Sequence, residues 1–338
     1  MLLFATKALS LSDESLSSGG SMFNADLTLA VQASELYYNS NMTQDDIGAE
    51  LGISRWKVGR LLTAARDAGI VRITIVHPRA RQNELEQMLR ERFGLAEAVV
   101  VPATRGDGYD EVQERVAGAA ATYLSLLKPT PRILGLSWGR TLDRIAEALP
   151  DGWADGTQIV QINGGVSLTS RSENASQTAM TMARKSGGSI TLLPTPAILE
   201  RAETRALIQD DRTIAGVLDL AASANVFLFS AGPADDTSVL LESGYISPGD
   251  LNRLIAHGAV GDVVGRFIDA DGKIVDPGLD ARTLGVEHEQ LRKAAISIAV
   301  IAGASKQAIA AAVAASGLCT VLVTDEQTAL ALLAGGEK

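Results

Sequence analysis

The chain has 338 residues, 46% of them hydrophobic and only 4% aromatic, and it carries a net charge of −10. That length suits two domains, and the acidic balance excludes a protein that coats nucleic acid through overall charge. One cysteine, Cys319, excludes an internal disulfide, and no apolar run reaches bilayer-spanning length, so a cytoplasmic chain without a membrane partner is expected.

Residues 1–24 are rich in Ser and Gly and read as unstructured. Residues 26–38, with Leu29, Ala33 and Leu36 at helical spacing, read as an entry helix. The stretch TQDDIGAELGISRWKVGRLLTAAR, residues 43–66, reads as a short helix, a tight turn and a second helix. Thr43 caps the first helix, and Asp45 and Asp46 fill its first turn, where the helix dipole favours negative charge. Ile47 and Leu51 face inward, Gly52 makes the turn and Ser54 caps the second helix. On that helix Val58, Leu61 and Leu62 face inward, which leaves Arg55, Trp56, Lys57 and Arg60 outward. A helix-turn-helix presents the N-terminal residues of its second helix to base edges in this arrangement.

Local charge agrees. Between Ser54 and Arg81 the cations Arg55, Lys57, Arg60, Arg66, Arg72, Arg79 and Arg81 face a single acid, Asp67. Phosphate contacts need such local charge and not a basic protein overall. A solvated amphipathic helix pair is the competing reading, but cap, turn and basic first turn coincide here. The expected partner is double-stranded operator DNA, read by Thr43, Ser54, Arg55, Trp56, Lys57 and Arg60.

Residues 71–76 alternate enough for a short strand, and residues 82–93 form a charged helix with Leu85, Met88 and Leu89 inward, ending at Gly94. The division expected is a helix-turn-helix domain over 25–76, a linker helix over 77–95 and a second domain over 96–338. From Ala98 onward short apolar runs alternate with helical patterns: 98–101, 132–136, 158–162, 189–193, 226–229, 296–301 and 320–323. This predicts an α/β class, a doubly wound, mostly parallel sheet behind a small all-α head. Residues 265–275 read as a hairpin with Asp271-Gly272 near its turn.

In such sheets ligands bind outside the carboxyl ends of the strands. The strand through Ile133 and Leu134 runs into Gly135, Ser137, Gly139 and Thr141 before a helix begins. Glycines let the backbone approach a ligand, the hydroxyls donate, and the helix start directs free N–H groups at the same spot, so a phosphate is the natural occupant. The strand ending Gln161-Ile162-Asn163-Gly164-Gly165 brings a second glycine turn, where Asn163 can read a sugar hydroxyl or carbonyl. Asp262 near a strand start can accept sugar hydroxyls, with a structural turn residue as the even alternative. Lys306, opening a helix after a strand, can pair with phosphate, although a surface lysine is the more ordinary reading.

Gly135-Leu136-Ser137-Trp138-Gly139 also matches the nucleophile elbow of hydrolases, and chain order permits a triad with Asp262 or Asp276 and His288. Against it, this strand is only the second of its domain, and His288 lies in a charged stretch that reads as an exposed helix start. The three histidines are far apart and separate from Cys319, so neither a metal site nor a cofactor is expected. Asp235-Asp236 and Asp210-Asp211 read as solvated loop charges.

TQDDIGAELGISRWKVGRLL, GLSWGRTL, QINGG, FLFSAG, GDVVGRFIDADGKIVD and IAGASKQAIAAAVAASGLCTVLVTDEQTALALL, taken together in this order, resemble the SorC family of bacterial sugar-responsive transcriptional regulators over residues 27–333. The resemblance implies an effector domain similar to ribose-phosphate isomerases, glucosamine-phosphate deaminases and CoA transferases. It implies tetramers (or dimers) on operator DNA and a phosphosugar or polyol effector. Carried over by position, Gly135, Ser137, Gly139 and Thr141 hold the phosphate, and Asn163, Gly164, Gln177, Asp262 and Lys306 surround the rest of the ligand. Asn163 cannot form an imine, so binding is expected to be non-covalent. Gly303-Ala304 stands where the family has two glycines. The expectation is a regulator and not an enzyme; the alternative is a sugar-phosphate isomerase or deaminase with an appended DNA-binding domain and Asp262 as its general base.

Overall fold

The computed structural model describes residues 19–40, 42–71, 82–104, 106–165 and 173–335. The chain divides into two compact units, Met1–Val76 and His77–Lys338. In the first, α1 (Gly19–Ser34) runs into a π-helical turn (Glu35–Asn39) and is followed by α2 (Gln44–Leu51) and α3 (Arg55–Asp67). The entry helix therefore starts at Gly19, which corrects the unstructured reading of residues 19–24. Extending a helix that is already nucleated is far easier than starting one, so weak local propensity does not stop it. Ala33, Ile47, Val58 and Ala65 are fully buried at the centre of this small core. The strand expected over 71–76 lies, beyond Val71, outside the described residues.

The second unit begins with α4 (Asn83–Phe93) and contains β1 (Glu97–Val101), α5 (Tyr109–Leu126), β2 (Ile133–Leu136), α6 (Arg140–Ala148), β3 (Gln158–Gln161), β4 (Ile190–Thr191) and β5 (Val226–Phe229). Then come β6 (Ala231–Pro233), β7 (Gly261–Val263), β8 (Arg266–Ile268), β9 (Ile296–Val300) and β10 (Val321–Asp325). Seven strands form one sheet in the order β1-β10-β9-β5-β2-β3-β4, and every pairing is parallel. Each of the seven apolar runs supplies one of these strands. Burial on both faces explains why they read as continuous runs: in β1, Ala98 and Val100 pack into one core layer, Val99 and Val101 into the other.

The order fixes where a ligand can sit. From β2 the chain moves outward to β3 and β4, and from β5 it moves the opposite way to β9 and β10. The crevice at the carboxyl ends of β2 and β5 is thus the topological switch point.

A second, antiparallel sheet, β6-β7-β8, follows directly from β5. The hairpin expected over 265–275 is present as a bridge between Ile268 and Ile274 around Gly272 (φ +75°), and its first strand also pairs with β7. The linker reading of 77–95 is corrected over α4, which packs on the sheet with Leu89 fully buried. Glu86 accepts from the Val100 N–H at 2.9 Å, and Gln82 N–H donates to the Val100 carbonyl at 3.1 Å. Met88, expected inward, is exposed; Leu89 is buried, and Leu85 and Phe93 are half-buried against the same core.

Candidate functional site

In the head, the caps form as the residue types dictate. Thr43 Oγ1 accepts from Asp46 N–H at 3.3 Å and donates to the Asp46 carboxylate at 2.6 Å. Ser54 Oγ accepts from Lys57 N–H at 3.3 Å. Gly52 adopts φ +64° to close α2, and at Gly48 a Cβ would come within 2.8 Å of the Ile53 carbonyl, so the turn crosses tightly over α2. Val58, Leu61, Leu62 and Ala65 form the buried face of α3, while Arg55, Trp56, Lys57 and Arg60 are exposed. Arg55 pairs with Asp45 at 3.2 Å, both well exposed, an ion pair that adds little stability in water.

In the second unit a cavity of about 180 Å³ opens at the switch point. Among the segments that line it are Ser137 to Thr141 after β2, Ser230 to Pro233 after β5, Asp262 on β7, and Ser305 with Lys306 after β9. Gly139 takes φ +133° as the N-cap of α6, and the first intrahelical bonds to it come from Leu142 and Asp143. That leaves the N–H groups of Arg140 and Thr141 without an intrahelical acceptor at the positive end of the dipole. Arg140 and Lys306 add positive charge on the same wall. Lys306 Nζ lies 3.5 Å from Ser230 Oγ.

Burial dominates the electrostatics here. Desolvation lowers Lys306 to about 8, the neighbouring Arg140 charge pushes the same way, and Asp262 and Asp235 oppose both. Desolvation also raises Asp262 to about 6, against the Gly265 N–H bond and the Lys306 charge, which lower it. Asp262 accepts that N–H at 3.0 Å across a two-residue turn in which Val264 is held at φ +48°. A β-branched residue there is strained, and the turn forms one wall of the cavity. Opposite, Asn163 is 2% exposed, and its Oδ1 has no hydrogen-bond partner among the described residues. A buried acceptor left unpaired is costly, and it is the kind of atom a ligand hydroxyl satisfies. Trp138 lines the same space, its indole N–H donating to the Gly164 carbonyl at 2.8 Å.

Of the residues singled out from sequence, the cavity brings together Ser137, Gly139, Thr141, Asn163, Asp262 and Lys306. Gly135, Gly164 and Gln177 are not among its lining residues. Gly135 is small for a different reason: a Cβ there would lie 2.7 Å from the Phe227 ring and 2.8 Å from Ile162 Cγ2, both in the core. At Gly164 a Cβ would meet the Pro196 carbonyl oxygen at 2.2 Å. Gln177 is exposed on the helix Glu173–Ser186. Trp138, Arg140 and Ser230 were missed, although the first two sit inside the GLSWGRTL motif. His288, read as exposed, is 4% exposed. Its Nε2 pairs with the Val263 carbonyl at 3.1 Å, and desolvation lowers it to about 4. As a neutral ring donating to that carbonyl it buttresses the strained turn and is not free to serve Ser137.

Residues 77–334 match the family model of a sugar-binding domain, Sugar-bind. The chain is 35% identical over 317 residues to the sorbitol operon regulator of Klebsiella pneumoniae, covering 91% of this chain and 98% of that protein. It is 32% identical over 305 residues to the deoxyribonucleoside regulator of Bacillus subtilis, covering 90% and 97%. Its fold matches the crystal structure of the full-length sorbitol operon regulator SorC from Klebsiella pneumoniae with a TM-score of 0.69 at 32% identity, over 91% of this chain and 99% of that one. This is a DNA-binding transcriptional regulator that carries a sugar-binding effector domain. The chain belongs to the SorC family.

Proposed function

We propose that this regulator controls a carbohydrate or polyol catabolic operon and that its effector is a phosphorylated sugar or polyol held non-covalently at the switch-point cavity. The observation that carries this reading is the coincidence, in one 180 Å³ cavity, of a helix N-terminus, Lys306 and the unpaired Asn163 Oδ1. The phosphate sits on the first turn of α6 with Ser137, Thr141, Arg140 and Lys306; Asn163 and Asp262 take the hydroxyls. Double-stranded operator DNA is bound by Arg55, Trp56, Lys57 and Arg60, with Thr43 and Ser54 at the helix starts facing phosphates. The effector shifts operator affinity by its differential affinity for two arrangements of a homo-oligomer.

Fluorescence anisotropy on duplex DNA from upstream of its own operon tests this. Binding is expected to fall steeply with salt and to shift on addition of one compound from a panel of sugar and polyol phosphates. Arg55→Ala should weaken operator binding while leaving that compound's affinity intact; equal loss of both would overturn the division of labour.

The raised pKa of Asp262 favours a second reading, an isomerase or deaminase with Asp262 as base. We hold the chain to be a regulator without turnover. Ribose 5-phosphate and glucosamine 6-phosphate should remain unchanged on prolonged incubation with it, and conversion of either would establish the enzyme.

A further inference from the structure

We propose that Trp56 and Gly59 form a notch on α3 that reads the C5 methyl of a thymine in the major groove, an inference that rests on the DNA-reading role above. Trp56 is 81% exposed, an unusual state for a side chain that is on average highly buried. Three residues on, Gly59 occupies the interior of α3, where glycine costs stability relative to alanine. Among the described residues nothing within the head demands that glycine. Its φ is not in the left-handed region, and a Cβ there would meet only Gln44 Oε1, at an ordinary 3.5 Å. Gly48 in α2 is the contrast, because there a Cβ would strike backbone.

Helical spacing puts Trp56, Gly59, Arg60 and Thr63 on one face, away from Val58, Leu61, Leu62 and Ala65. A glycine on an outward face, beside an exposed tryptophan, lets the helix backbone approach something external. The head's proposed partner is duplex DNA, and in its major groove the thymine methyl is the apolar group on a base edge. An indole cannot make the bidentate bonds that read guanine or adenine, but its ring covers a methyl well. Arg55, the preceding residue, reaches Asp45 at 3.2 Å, and the Trp56 ring stands open to solvent. Arg60, one turn on, supplies charge for the flanking phosphate.

Anisotropy of the full chain on footprinted upstream duplex tests this, each thymine of a half-site being replaced in turn by uracil, which lacks only the methyl. One position per half-site should lose about fourfold in affinity, the worth of one buried methyl, and Trp56→Ala should erase that sensitivity. Gly59→Ala should raise the thermal midpoint of the head yet weaken operator binding at least about tenfold, because a methyl then stands between helix and base edge. A purely structural glycine would not divide stability from binding in this way. Indifference of the wild type to every uracil, or wild-type affinity in Gly59→Ala, overturns the notch. Failure of the wild type to bind any upstream duplex instead overturns the DNA-reading role, and the notch falls with it.

Discussion

Replacing Lys306 with alanine is expected to weaken phosphosugar binding roughly 10- to 150-fold while leaving operator DNA affinity in the absence of effector unchanged. The range is that of a hydrogen bond to a charged group, about 1.5–3 kcal/mol. The pH dependence gives the result its signature. Lys306 is charged below about 8 in the empty cavity, because burial and Arg140 disfavour its proton. A phosphate dianion beside it favours that proton, so above about 8 the complex takes up a proton on binding. Wild-type affinity should therefore fall as pH rises past 8, approaching about tenfold per pH unit, and the alanine variant should be flat there. Isothermal titration at pH 7, 8 and 9 reads both effects. A wild-type profile flat from 7 to 9 would remove Lys306 from the phosphate.

A different kind of loss is expected from Gly164→Ala. Its new methyl would lie 2.2 Å from the Pro196 carbonyl oxygen and 2.8 Å from the Ala197 nitrogen. Both are backbone, so no side-chain rotation relieves the conflict. The segment cannot retreat easily, since Gly164 N–H bonds the Leu284 carbonyl and Gly165 N–H bonds the Thr195 carbonyl. The expected cost is about 3 kcal/mol, or a fall in thermal midpoint of about 6–12 °C for a domain of this size. Effector binding should decline with it, because Trp138 is held by the Gly164 carbonyl and Asn163 is the adjoining residue. Lys306→Ala, which removes a buried cation, should not lower the midpoint at all. Calorimetry on the two variants separates a residue that touches ligand from one that shapes the wall.

That contrast also marks how much of the site was legible. That Ser137, Gly139, Thr141, Asn163, Asp262 and Lys306 line one cavity could be anticipated because strand ends announce themselves: an apolar run stops, glycine or a small polar residue follows, and a helix starts. The same logic yielded all seven strands of the parallel sheet. Gly135 and Gly164 lie outside the cavity lining, and a glycine that makes room for Phe227 or Pro196 is indistinguishable in sequence from one that makes room for phosphate. His288 was misread because its neighbours are charged, whereas its own burial follows from the β7–β8 turn, which forms through contacts distant in sequence. Of the small sheet only the hairpin that contains β8 and the strand start at Asp262 could be read, and their pairing with β6 could not: β6, β7 and β8 are three residues each, too short for periodicity to register. In the head, caps and turn were local and therefore readable, and Gly59 acquires meaning only once the buried face is known.

The contacts of α4 with β1 bear on how the protein is taken apart. A terminal strand of a sheet is an open template, ready to pair with any passing chain. On β1 both backbone groups of Val100 are already taken, one by Glu86 and the other by Gln82. The helix that sequence suggested was a tether is thus a seal on a sticky border. Cutting the head off at residue 95 would expose that border and invite fibrillar or amorphous precipitation. A cut ahead of Gln82 keeps the seal, and solubility rather than folding would be the first property to betray the wrong choice.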